Sequence, residues 1–225
     1  MKASDIVAVP LQWGSTIRRR RVFHPVGVMT SGSLERLAPP GQGLPVESSA
    51  VLGRLSKGVG LPGGLPDVIG LAVRIPPQPF AATPWDILLA SAGSGLLTRF
   101  ALRPATSWRA SLSSLMPLRY EGKYWWVRAK MTSDLDADGL SVDDVAEQID
   151  RSGIEFELEQ AAGTDRFEPL ARIRFHEVVA AGPSNELAFD PTIHTAPGVK
   201  LAPEWLTDIR RRAYERSREG RPDTG

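Results

Sequence analysis

Tyr214 stands four residues after Arg210 and seven before Arg221, in and just beyond the segment PEWLTDIRRRAYERSREG, Pro203 to Gly220. On a helix, residues four apart lie one above the other on the same face. Arg210 can then hold its guanidinium against the Tyr214 oxygen. A fixed cation favours the ionised form of a phenol, whose ordinary pKa is about 10. A phenolate is a hard, anionic oxygen ligand, and tyrosinate is one of the few protein groups that hold haem iron. The same residues also make a plain arginine-rich surface helix with one tyrosine on its buried edge. Two further groups lie upstream. Arg21 precedes His24 by three residues in RVFH, and Arg54 and Ser56 alternate in SAVLGRLSKG. A lone histidine at the start of a strand is more often structural than catalytic. Arg54 and Ser56 share one face of any strand that contains them.

The elements that would position these groups are short. The chain has 225 residues with 21 glycines and 19 prolines, a composition that favours turns and strands over a helical bundle. With 42% hydrophobic and 24% charged residues it reads as one globular domain over residues 1–225. Residues 1–17 are expected to form an N-terminal arm and the tail 221–225 to fray. The absence of cysteine excludes disulfides, thiolate metal sites and cysteine nucleophiles. The net charge of +1 gives no overall field toward nucleic acid or anionic lipid. Arg18–Arg21 lacks the interleaved aromatics of a nucleic-acid surface, so we expect no nucleic-acid partner. No apolar run reaches the roughly 18 residues of a membrane span. The N-terminus shows no signal-peptide pattern, so a cytoplasmic protein is expected.

Alternation predicts strands over 24–34, 49–58, Ile69–Ile75, Trp85–Ala90 and Gly122–Met131. IEFELEQAA and LARIRFHEVVAA should pair as antiparallel strands, with His176 structural or on the surface. ELAFDP should start another strand. Proline and glycine place loops at 36–47 and 57–68; the second lacks the Gly-Lys-Ser/Thr ending of a nucleotide-binding loop. Helices are expected at Gly93–Leu102 and Ser107–Leu115, split by Pro104. Another is expected from a Ser141 cap through Ile149 with a stop at Gly153, and a last one over Pro203–Gly220. The sum is an α+β fold of about eight short strands: an antiparallel, strongly curved sheet or β-barrel with helices packed outside.

These pieces, in this order, resemble the haem core of the catalase superfamily, and most closely its small catalase-related haem proteins. RVFHPVGV matches the family's arginine, distal histidine and following glycine at Arg21, His24 and Gly27. GRLSKGVG resembles the family's Arg-Phe-Ser strand. LPDVIGLAVRI followed by WDILLAS resembles its Asp-Pro-Arg-Gly-Phe-Ala-Val-Lys-Phe and Trp-Asp-Leu-Val-Gly-Asn-Asn segments. Arg210-x-x-x-Tyr214 with Arg221 resembles its proximal arginine, tyrosinate ligand and second propionate-binding arginine.

The resemblance implies a catalase-like barrel core holding haem b, with Tyr214 on the iron and Arg210 tuning it. It implies Arg21, Arg54 and Arg221 on the propionates, and Ser56 on the His24 ring. Phe100 or Phe23 would be the aromatic cover. His24 would move a peroxide proton from the inner to the outer oxygen. Counting from Trp85-Asp86 puts Ser91 where the family has an asparagine that polarises peroxide. A serine hydroxyl is a shorter, rotatable donor. The expected activity is therefore that of a peroxidase or weak catalase, with a peroxide substrate and an unidentified electron donor. A haem enzyme that rearranges fatty-acid hydroperoxides is the alternative, and a non-catalytic haem-binding or storage protein a third reading. A homodimer is compatible with each.

Overall fold

The structure is a computed structural model and describes residues 26–61, 65–79, 81–93, 101–135, 139–180 and 187–202. The alternating segments form strands: β1 (Val26–Arg36), β2 (Ser49–Lys57), β3 (Ile69–Ile75), β4 (Trp85–Ser91), β5 (Leu112–Ser113), β6 (Leu118–Tyr120) and β7 (Lys123–Met131). After them come α1 (Val142–Ser152), β8 (Ile154–Ala162), β9 (Glu168–Val178) and β10 (Lys200–Leu201). Each strand pairs antiparallel with its neighbours in the order β7-β5-β4-β3-β2-β1-β9-β8, and β8 returns to β7. Eight strands thus close a barrel and leave no free edge within it. β6 and β10 extend outward from β7.

The period of two decides which side chains fill the barrel. Leu55 of β2 faces Leu71 of β3, which faces Leu89 of β4. Gly53, Val73 and Ile87 form the next interior row. Farther round, Phe156 and Phe175 meet edge to face with ring centroids 6.2 Å apart. A Cβ on Gly53 would lie 2.3 Å from the Phe175 ring, so glycine there makes room for an aromatic core residue. Ser141 caps α1 by accepting from the Asp144 N–H at 3.2 Å, and Gly153 closes the helix at φ 81°. Val145 and Ile149 of α1 are fully buried, and the helix packs against β9 and β1.

Apart from ELAFDP, the expected strands are present over their described residues, and two expectations are corrected. Ser107–Leu115 is not a helix. Leu112 and Ser113 are drawn into β5 between β4 and β7, where they complete the barrel, and Leu115 takes a left-handed backbone at φ 57°. Barrel closure overrides the weak local helical tendency there. ELAFDP is not a strand over its described residues 187–191. Asp190 instead organises a turn by accepting from the Thr192 N–H at 2.9 Å. The short strands β6 and β10 were not expected. Most of Gly93–Leu102 and all of Pro203–Gly220 lie outside the described residues, so α1 is the single helix among those described. The antiparallel β-barrel therefore stands, whereas the set of outer helices does not extend beyond α1 among those residues.

Candidate functional site

The outer face of β1–β4 carries the two site residues that the structure brings together. Arg54 and Ser56 alternate with the interior residues Gly53 and Leu55 and so point outward. Ser56 lies opposite Gly27 on β1 and Gly70 on β3, and Gly70 lies opposite Ala90 on β4. Arg54 lies opposite Met29 and Ala72, and Ala72 opposite Leu88. The result is a floor of Gly27, Gly70, Ala72 and Ala90 bearing one hydroxyl and one guanidinium, flanked by Met29 and Leu88. Ser56 is buried at 5% exposure, while Arg54 is half-buried. A Cβ on Gly27 would lie 2.6 Å from the Leu55 carbonyl oxygen and 2.8 Å from the Ser56 Cβ, so this corner of the floor has no room for a side chain.

Ser91 is not on this face. It shares its side of β4 with Ile87 and Leu89, toward the barrel interior, and pairs with Leu112 of the core. Its hydroxyl donates to the Arg103 carbonyl at 2.6 Å and accepts from the Ile69 N–H at 3.2 Å. Both bonds brace the backbone at the end of β4. Ser91 also lines a recess of about 160 Å³ with Ala92, Arg103, Pro104, Ala105 and Ala110. The β4 residue in line with Ser56 is Ala90. One residue of offset in a strand moves a side chain to the other face, and the spacing from Trp85-Asp86 does not reveal which parity faces outward. Arg21, Phe23, His24, Phe100, Arg210, Tyr214 and Arg221 lie outside the described residues.

One row further along the same outer face sits a charged cluster that sequence reasoning missed. Arg74 of β3 lies opposite Asp86 of β4. Arg74 Nε donates to Asp86 Oδ1 at 2.7 Å and Nη2 to Oδ2 at 2.6 Å, a bidentate pair. Asp86 Oδ2 also accepts from the Asp190 N–H at 2.8 Å and sits 2.7 Å from His194 Nδ1. The Asp86 N–H donates to the His194 carbonyl at 3.0 Å. The Asp86 side chain is fully buried and that of His194 is 22% exposed. The signal for Arg74–Asp86 was present as two charges in otherwise apolar strands; nothing local joins them to His194, more than a hundred residues on.

A second buried carboxylate shapes the loop between β2 and β3. Asp67 Oδ1 accepts from the N–H groups of Val59 and Val68 at 2.9 and 2.7 Å, and Oδ2 from those of Gly60 and Leu61 at 2.8 and 3.0 Å. Burial alone pushes the Asp67 carboxyl up, but these backbone bonds outweigh it and hold the group below the ordinary carboxylate range. Lys57 is also buried and donates to the Leu61 carbonyl. Together they use the loop's polar groups internally, which suits a structural turn rather than a phosphate cradle. Among the described residues no cluster of three or more histidines or carboxylates is arranged to hold a metal ion.

No protein-family model matches the chain, and no curated protein matches it. Among the described residues no helix is long and apolar enough to cross a membrane.

Proposed function

We propose that the chain binds haem b on the outer face of β1–β4 and acts on a peroxide as a peroxidase or weak catalase. The observation that carries this reading is the placement of Arg54 and Ser56 on one outer face above Gly27, Gly70, Ala72 and Ala90. A flat macrocycle with carboxylate arms requires a smooth floor and a cation at its rim, and these residues fit both needs. Arginine pairs with a carboxylate through two parallel N–H bonds. Arg54 would take one propionate, with Arg21 and Arg221 as the other candidates. Tyr214 would supply the anionic ligand, Arg210 would favour its phenolate form, and Phe23 and Phe100 are the candidate aromatic covers. Haem held by these residues would supply an iron centre for cleaving a peroxide O–O bond.

His24 would act as the acid/base that shifts the peroxide proton from the inner to the outer oxygen. Ser56 would fix the orientation of that ring through one nitrogen. Ala90 brings no donor to the face, and losing one preorganised donor commonly costs about a hundred-fold in rate. This favours slow turnover with an organic electron donor over rapid dismutation. Met29 and Leu88 beside Arg54 favour an organic hydroperoxide, so rearrangement of a fatty-acid hydroperoxide is the second reading.

The test is an absorption spectrum of protein produced with haem supplied, for wild type, Tyr214→Phe and Arg54→Ala. Haem bound one to one, with a high-spin ferric tyrosinate spectrum lost in Tyr214→Phe and haem held less tightly in Arg54→Ala, is expected. A wild-type protein that takes up no haem overturns the proposal. With haem bound, hydrogen peroxide plus a donor and a lipid hydroperoxide without one separate the two activities.

A further inference from the structure

The neighbours of His194 bond one ring nitrogen, and among the described residues none bonds the other. Hydrogen accounting at the Arg74–Asp86–His194 cluster fixes its tautomer. Arg74 Nη2 carries two hydrogens. One goes to Asp86 Oδ2 at 2.6 Å and the other to the Ala188 carbonyl at 2.9 Å. The 3.0 Å approach of Nη2 to His194 Nδ1 therefore has no hydrogen left to donate. Nδ1 lies 2.7 Å from a carboxylate oxygen, a distance that requires a proton between them. Nδ1 is thus the donor, and in the neutral ring Nε2 carries the lone pair. No described residue hydrogen-bonds Nε2, and the side chain is 22% exposed.

The backbone also fixes the ring. The His194 N–H donates to the Asp190 carbonyl at 3.0 Å, and its own carbonyl accepts from Asp86 at 3.0 Å. A histidine held at both backbone groups and at Nδ1 by a buried carboxylate keeps its second nitrogen in a defined direction. Beside it, Arg74 Nη1 has two N–H groups that no described residue accepts. The Arg74 guanidinium lies 5.2 Å from the Phe189 ring centroid, and Ile193 is 45% exposed. The cluster therefore combines a lone-pair acceptor, spare cationic donors and nearby apolar surface.

The geometry points to His194 Nε2 as a proton-accepting site for a small phenol, at the outer face of β3 and β4 and oriented by Asp86. The phenol O–H bond breaks, the proton forms an N–H bond at Nε2, and the electron pair stays on oxygen as phenolate beside the Arg74 guanidinium. A phenol brings both the proton for Nε2 and a ring for the nearby apolar surface of Phe189 and Ile193. The site does not depend on haem and stands apart from the peroxide reading.

The experiment uses the full chain without haem and titrates it with 4-nitrophenol at a pH below that of the free phenol's ionisation. Wild type should develop a saturable phenolate band. His194→Asn keeps a donor near the Nδ1 position but removes Nε2; it should keep the wild-type near-ultraviolet circular dichroism and lose the band. His176→Asn, altered at an exposed residue, should retain it. Long-range proton–nitrogen NMR of the imidazoles should show His194 protonated at Nδ1. No saturable band in wild type, a band of equal size in His194→Asn, or an Nε2–H tautomer overturns the proposal. Should His194→Asn fail to fold, the wild-type titration and tautomer measurement decide it.

Discussion

Gly27 and Ser56 face each other across β1 and β2 so closely that a methyl group on Gly27 would lie 2.8 Å from the Ser56 Cβ. The same methyl would lie 2.6 Å from the Leu55 carbonyl oxygen. Neither neighbour is a long, flexible side chain that can swing aside. Gly27→Ala should therefore force the two strands apart and destabilise the fold by about 1–3 kcal/mol, the usual range for overpacking. Urea unfolding of the variant and wild type checks this, and an unchanged midpoint would show that the β1–β2 corner yields without cost.

Asp67 anchors the β2–β3 loop through an ionised carboxylate that accepts four backbone N–H groups. An asparagine at this position would offer one acceptor oxygen and place an amide donor against those same donors. Asp67→Asn should cost about 1–3 kcal/mol, read from urea unfolding at neutral pH.

The pH dependence follows from the lowered pKa of Asp67. A carboxyl whose folded value lies below its unfolded value binds more protons when unfolded. Its contribution is complete above the unfolded value of about 3.9 and is lost as pH falls through the folded value. Between about pH 6 and about pH 3 the wild type should therefore lose more stability than Asp67→Asn. Parallel slopes from urea titrations at the two pH values would remove Asp67 as a source of acid lability.

Asp86 is the point at which β3, β4 and the segment 187–194 are joined. Asp86→Ala leaves the partly buried Arg74 guanidinium without its carboxylate partner and releases the Asp190 N–H and His194 Nδ1. Removing one partner of a buried pair costs about 3–5 kcal/mol. Hydrogen exchange should quicken at the amides of Asp190 and His194, both held within this cluster, before it quickens in β8 or β9. Uniform quickening across the barrel would mean that the segment does not open as a separate unit.

Arg36 organises the β1–β2 loop with all five of its guanidinium N–H groups. Nε bonds the Ala38 carbonyl, Nη1 those of Leu44 and Val46, and Nη2 those of Pro39 and Gln42, at 2.6–3.0 Å. Lysine supplies three donors from one point and cannot reproduce the fork. Arg36→Lys should lower stability by about 1–3 kcal/mol and expose residues 37–48 to faster limited proteolysis. Wild-type cleavage rates would assign the loop's order to Leu44 instead, whose N–H donates to Oε1 of the buried Gln160.

Much of the wall was legible in the chain. The period of two in residues 26–34, 49–57, 69–75 and 154–162 determines strands with one apolar face, because alternate side chains must leave a pleated strand on opposite sides. The Ser141 cap and the Gly153 stop are local hydrogen-bonding and steric facts, so α1 is readable from a dozen residues. Arg54 and Ser56 share a face for the same local reason.

Tertiary structure alone decided the rest. Pairing with β4 and β7 drew Leu112 and Ser113, inside the expected helix Ser107–Leu115, into the short strand β5, since inter-strand bonds outweigh a weak propensity. Strand pairing, which links residues far apart in the chain, set Ala90 outward and Ser91 inward. The meeting of Arg74 and Asp86 with His194 likewise depends on where a distant segment returns to the barrel. Periodicity states that a strand has two faces; only its neighbours in space determine which face meets the core and which meets a ligand.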